Sequence, residues 1–169
     1  MTNEPLLPYE WPGSYFIGEE ELEAVSKVIL ARSPYRRYGH DLQNYGNKVE
    51  ALFQERIGRK HALLVNSGTG ALTVAMAVAD VGPGDEVIPT CHTALATIAA
   101  ITATGAKAVV IDIENDMLMA NRLLKKAITR KTKAIIAVHL YGLACDMHFI
   151  SALSKAHKLF VIEDCAQAF

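Results

Sequence analysis

An α/β architecture, a mostly parallel sheet with flanking helices, is what this sequence predicts, and three observations predict it. From residue 61 onward, short β-branched runs at 62–65, 86–88, 108–113, 134–140 and 159–163 alternate with stretches of helical pattern. The runs are apolar on both faces, as strands covered by helices on two sides must be. The stretches between them, 71–79, 93–104, 122–128 and 147–157, are long enough for the crossovers that parallel strands need. Five strands with four crossovers make an open layered sheet.

Ahead of the sheet, residues 1–18 read as an irregular arm, broken by Pro5, Pro8, Pro12, Gly13 and Gly18. Glu19, Glu20 and Glu21 then open a helix, where acidic groups favour the positive end of the dipole. Its apolar stripe is Leu22, Val25, Val28 and Ile29, and Ser33-Pro34 stops the pattern. A second amphipathic helix places Val49, Leu52, Phe53 and Ile57 on one face and stops at Gly58. The segment 71–79 is apolar almost all round, which predicts a buried helix. No internal repeat or low-complexity tract interrupts the chain.

Composition narrows the function. The 169 residues carry 17 Lys+Arg against 18 Asp+Glu, a formal net charge of −1, with 51% hydrophobic and 21% charged residues. That is the composition of a globular chain with no electrostatic footprint for nucleic acid. The one basic pair with aromatic neighbours, Tyr35-Arg36-Arg37-Tyr38, reads as a solvated loop. Cys91, Cys145 and Cys165 are odd in number, lack CxxC spacing and form no metal-ligand pattern with the six histidines. They predict a reducing compartment and packing roles, since none has a cation beside it in sequence. Without a signal-like start or a run of roughly 20 apolar residues, the expected location is the cytoplasm.

Ligands of open parallel sheets bind beyond the carboxyl ends of the strands. Those ends deliver Asn66-Ser67-Gly68-Thr69-Gly70, Thr90-Cys91-His92-Thr93, His139-Leu140-Tyr141-Gly142 and Glu163-Asp164-Cys165-Ala166-Gln167, while the opposite ends carry Lys60, Lys107, Lys133 and Lys158. Ser67-Gly68-Thr69-Gly70 at a helix start offers backbone N–H groups, a hydroxyl and the positive end of a dipole, a place for a phosphate or other anion. A plain N-cap with glycines for a tight turn is the other reading. Its spacing is neither GxGxxG nor GxxxxGK[ST], which disfavours a nucleotide-dependent oxidoreductase. Asp164, leaving an apolar run, needs a cationic or hydrogen-bonded partner or caps the next turn. His139 is a candidate base or ligand, or a hydrogen-bonded structural histidine.

Asn-Ser-Gly-Thr-Gly-Ala-Leu at 66–72, Gly-Pro-Gly-Asp-Glu-Val-Ile at 82–88 and Thr-Lys-Ala-Ile-Ile at 132–136 belong to one pattern. Val-His-Leu-Tyr-Gly at 138–142, Ala-Cys-Asp-Met at 144–147 and Val-Ile-Glu-Asp-Cys-Ala-Gln-Ala at 161–168 continue it. In this order, from Gly18 to Phe169, the chain resembles the DegT/DnrJ/EryC1/StrS group of pyridoxal-phosphate sugar aminotransferases, of the aspartate aminotransferase fold type. The resemblance divides the chain into an arm with two helices, 1–60, and the first part of the cofactor-binding large domain, 61–169. It implies that Gly68, Thr69 and Gly70 hold the phosphate of pyridoxal 5′-phosphate, that Asp164 pairs with the pyridine nitrogen, and that Gln167 contacts the phenolic oxygen. At the family's ring-stacking aromatic stands Ala94, with His92 nearby as the stacking candidate.

The implied reaction moves an amino group from glutamate or glutamine to a keto-sugar or keto-cyclitol, a nucleotide-sugar or cyclitol substrate, in amino-sugar and polysaccharide biosynthesis. The family's Schiff-base lysine belongs to a segment downstream of the Asp-x-x-Gln motif, and no lysine of this sequence matches it. The expected consequence is a chain inactive alone, lacking also the small domain. The implied partner is a second copy or a longer homologue. The alternative is a non-catalytic interaction module or partner subunit of a full-length enzyme.

Overall fold

The computed structural model describes residues 16–168. The arm's Pro5, Pro8, Pro12 and Gly13 lie outside the described residues. The chain separates into two compact units, Met1–Leu64 and Val65–Phe169.

In the first unit, α1 (Glu19–Leu30) and α2 (Tyr45–Ile57) form where the acidic start and the apolar stripes place them. The Glu21 carboxylate accepts the Gly18 N–H at 2.7 Å, satisfying one of the donors a helix start leaves open. Gly58 ends α2 at φ +66°, a left-handed cap that glycine adopts without a Cβ clash. Neither helix contains a buried residue. Arg36 is no solvated loop residue. Its guanidinium pairs with Glu50 and also donates to Asn47 Oδ1 at 3.2 Å and the Leu64 carbonyl at 3.3 Å.

That network explains why the strand expected at 62–65 is absent. The second Glu50 oxygen accepts the Leu64 N–H at 2.7 Å, so side chains occupy backbone groups that a ladder would otherwise use. Leu63 and Leu64 stay 58% and 47% exposed. β-propensity alone makes no strand where no partner strand is at hand.

The second unit carries a parallel sheet of four strands in the order β2-β1-β3-β4: β1 (Glu86–Ile88), β2 (Lys107–Ala108), β3 (Thr132–Val138) and β4 (Phe160–Asp164). The helices α3 (Gly68–Val78), α4 (Leu95–Ala103), α5 (Asn121–Ala127) and α6 (Met147–His157) connect and cover it. β3 is central, and Ala134, Ile135, Ile136 and Ala137 have no exposed surface. Val87, Ile88, Met76, Ile101, Leu124 and Ile150 pack around them, each large side chain contributing about 1.5–3 kcal/mol by leaving water.

Of the run expected at 108–113 only Ala108 lies in a strand, β2 being Lys107–Ala108, and Pro89 is the reason. The ladder to β1 continues with Val109 N to Val87 O at 2.8 Å, Ile111 N to Pro89 O at 3.1 Å and Cys91 N to Ile111 O at 2.8 Å. Pro89 has no N–H to give, so the ladder is interrupted between Val87 and Cys91. α3 also departs from expectation. Leu72 and Met76 are buried, yet Val78 is 75% exposed, because α4 and the sheet cover only one of its faces.

Candidate cofactor site

All four strands run the same way, so His92, His139 and Asp164 leave the sheet at one edge. α3 joins the amino end of β1 through 79–85 and packs on α4, which itself starts beyond the carboxyl end of β1. The start of α3 therefore lies on that same side.

Ser67 caps α3 in extended conformation, and its Oγ accepts the Gly70 N–H at 3.1 Å. The Ala71 N–H returns to the Ser67 carbonyl at 2.9 Å. Among the described residues no acceptor faces the N–H groups of Gly68 and Thr69, which are exposed at the positive end of the helix. A Cβ on Gly70 would come within 3.0 Å of Asn66 Oδ1 and 3.2 Å of Ser67 Oγ, whereas beside Gly68 there is open space. The N-cap reading is what the structure shows, with the Gly68 and Thr69 N–H groups free of acceptors among the described residues.

Asp164 ends β4 half-buried. One carboxylate oxygen accepts the Ala166 N–H at 3.2 Å, and its carbonyl accepts the His139 N–H at 3.0 Å. The other carboxylate oxygen has no partner among the described residues, so it can receive a cationic N–H. Gln167 accepts the Tyr141 N–H through Oε1 at 3.4 Å and the Gly142 N–H through its carbonyl at 2.9 Å. Its side-chain NH₂ thus remains a donor. His92, half-buried, stands with Nε2 3.3 Å from the Tyr141 hydroxyl.

Of the two readings of His139, the geometry supports the structural one. It is 4% exposed, its Nδ1 accepts the Cys145 N–H at 3.1 Å, and its Nε2 faces Glu163 Oε2 at 3.2 Å. Because Nδ1 accepts, the proton belongs on Nε2 and is donated to Glu163. His139 therefore ties the ends of β3 and β4 to the loop before α6. The cysteines are free thiols. Burial pushes the thiols of Cys145 and Cys165 up, and the Glu163 and Asp164 carboxylates add to the effect at Cys165, so neither is a ready nucleophile.

Tyr141 is the site residue that sequence reasoning passed over. Its sequence signal is its place in Val138-His139-Leu140-Tyr141-Gly142 at a strand end, which gave it no role of its own. Contacts with His92 and Gln167, 49 and 26 positions away, appear only in the folded chain.

A profile of the DegT/DnrJ/EryC1/StrS aminotransferase family matches residues 16–169. The chain belongs to that family. It is 45% identical to a UDP-N-acetyl-3-dehydro-alpha-D-glucosamine 3-aminotransferase of Acidithiobacillus ferrooxidans, over 99% of this chain and 45% of that protein. Its fold matches the aminotransferase of Psychrobacter cryohalolentis with a TM-score of 0.83 at 35% identity, over 98% of this chain and 40% of that one. NtdA of Bacillus subtilis, solved with bound cofactor PMP, matches with a TM-score of 0.80 at 28% identity, over 94% and 36%. The chain spans less than half the length of the curated relatives it matches. Within the family fold, no described helix is long and apolar enough to cross a membrane.

Proposed function

We propose that Gly68, Thr69, Gly70, His92, Asp164 and Gln167 form the pyridoxal 5′-phosphate cradle of an aminotransferase. It would move an amino group from glutamate or glutamine to a keto-sugar or keto-cyclitol in amino-sugar biosynthesis. One observation carries this reading: two N–H groups at a helix start and a carboxylate oxygen, all without a partner among the described residues, share one edge of a sheet whose family uses that chemistry. The donor set suits a phosphate at one end and a protonated ring nitrogen at the other. Pyridoxal phosphate, when bound, supplies an electron sink for the carbanion beside the transferred nitrogen.

The roles follow from the atoms. The N–H groups of Gly68 and Thr69, with the Thr69 hydroxyl, receive phosphate oxygens, and Gly70 keeps the turn tight. The open oxygen of Asp164 holds a proton on the ring nitrogen. The Gln167 NH₂ donates to the ring oxygen, and His92 covers a face of the ring.

Every lysine of the second unit, Lys107, Lys125, Lys126, Lys131, Lys133, Lys155 and Lys158, lies at the amino ends of strands or at the ends of helices leading into them. On this reading the second unit offers the cofactor no lysine for a covalent bond, holds it non-covalently and does not turn over by itself. The reading further makes the partner a second copy of this chain or a longer homologue. Its free cysteines suit the reducing cytoplasm.

Equilibrium dialysis against pyridoxal and pyridoxamine 5′-phosphate tests the cradle. Reversible binding is expected, weakened about 10- to 100-fold in Asp164→Asn, the equivalent of a charge-assisted hydrogen bond of roughly 1.5–3 kcal/mol. No binding, or equal binding by the variant, overturns the proposal.

A further inference from the structure

Tyr141 occupies a backbone conformation that side chains avoid. It and Gly142 have φ of +52° and +81°. They sit between Leu140 and Leu143, which exchange N–H···O bonds of 3.0 and 2.8 Å. This is a two-residue hairpin turn of the mirror-image type, whose first position ordinarily holds Asn, Asp or Gly. A bulky residue there is strained, and strain held in place near a site is a pointer to use. Core packing offers no other explanation, because the side chain is 67% exposed.

The turn instead reaches two residues of the cradle. The Tyr141 hydroxyl and His92 Nε2 are 3.3 Å apart, with the rings 6.1 Å apart between centroids and tilted by 39°. On its other side the turn is anchored to Gln167 by the N–H groups of Tyr141 and Gly142. A half-buried imidazole on a loop has two ring flips and two tautomers open to it. A hydroxyl fixed on a rigid turn selects among them.

We propose that Tyr141 is a positioning residue: its strained turn, anchored on Gln167, orients the His92 imidazole at the mouth of the cofactor cradle. This rests on the cofactor reading above.

The test compares the wild-type chain with Tyr141→Phe, which removes only the hydroxyl, and Tyr141→Gly, which removes the ring and relieves the left-handed strain. With ¹⁵N-labelled histidine, the imidazole signals of His92 should move in both variants toward those of a freely exchanging ring. Affinity for pyridoxal 5′-phosphate should fall about fivefold, the scale of one neutral hydrogen bond. The melting temperature should hold in Tyr141→Phe and hold or rise in Tyr141→Gly, a combination that a purely structural residue does not produce. Unchanged His92 signals and unchanged affinity, with a more stable glycine variant, would reduce Tyr141 to a poor turn residue and overturn the proposal. If the wild type binds no cofactor, the cofactor reading fails separately. The His92 signals of Tyr141→Phe then decide alone, a shift upholding the coupling and its absence refuting it.

Discussion

His139 shows how much one buried side chain can organise. Its two ring nitrogens and its backbone N–H hold three separate groups, the Cys145 N–H, the Glu163 carboxylate and the Asp164 carbonyl. Truncation to alanine leaves the Cys145 N–H buried without an acceptor, at about 1–3 kcal/mol, and adds a cavity. His139→Ala should therefore lose about 2–4 kcal/mol in urea unfolding, and a loss below about 0.5 kcal/mol would show that the latch does not matter. The sequence marked His139 by its place at a strand end. Only its partners show that both nitrogens are already engaged.

At the scale of elements, the segment after α2 is ordered by charge rather than by strand pairing. The Arg36 guanidinium, with help from the Leu64 N–H, holds the Glu50 carboxyl below the usual carboxylate value. A carboxyl depressed in the folded chain contributes stability above its unfolded value, about 4.3 for glutamate, and that contribution fades as pH falls through the folded value. Acid titration followed by NMR should find Glu50 protonating below the ordinary glutamate value, with the Leu64 amide losing protection in the same step. A Glu50 midpoint at the ordinary value would break the connection. Likewise, no run of β-branched residues could announce that Pro89 interrupts the β1–β2 ladder, since proline's effect depends on which strand edge it faces.

For the whole chain, the placement of lysines makes a prediction about covalent chemistry. With every lysine of the second unit away from the carboxyl ends of the strands, where the proposed cradle lies, borohydride treatment with pyridoxal 5′-phosphate should leave no single-site pyridoxyl adduct on a lysine of residues 65–169, and glutamate should yield no amino transfer. Mass spectrometry showing one specific lysine modified, together with turnover, would defeat the placement argument. Apolar surface tells a second story at this scale. Val78 and Leu95 are 75% and 81% exposed, and Leu143 and Phe160 about half exposed, and apolar side chains left in water favour self-association. Sedimentation velocity should show association that strengthens with concentration. A monomer at every concentration would remove the support for a partner.

The sequence by itself determined those elements whose pattern is local. α6 spans Met147–His157 as its periodicity required, started by an Asp146 side chain that accepts the Phe149 N–H at 3.0 Å. β3 is buried because its residues are apolar on both faces, and the parallel order brings Gly68, His92 and Asp164 to one side because crossover connections allow little else. Tertiary structure decided whatever depends on a distant partner. It withheld a strand from 62–65, drew Arg36 into an ion-paired network, left one face of α3 uncovered, and set Tyr141 against His92. Spacing along a chain encodes which face a residue shares with its near neighbours, but a ladder, an ion pair or a strained turn is stabilised by atoms that only the fold brings close.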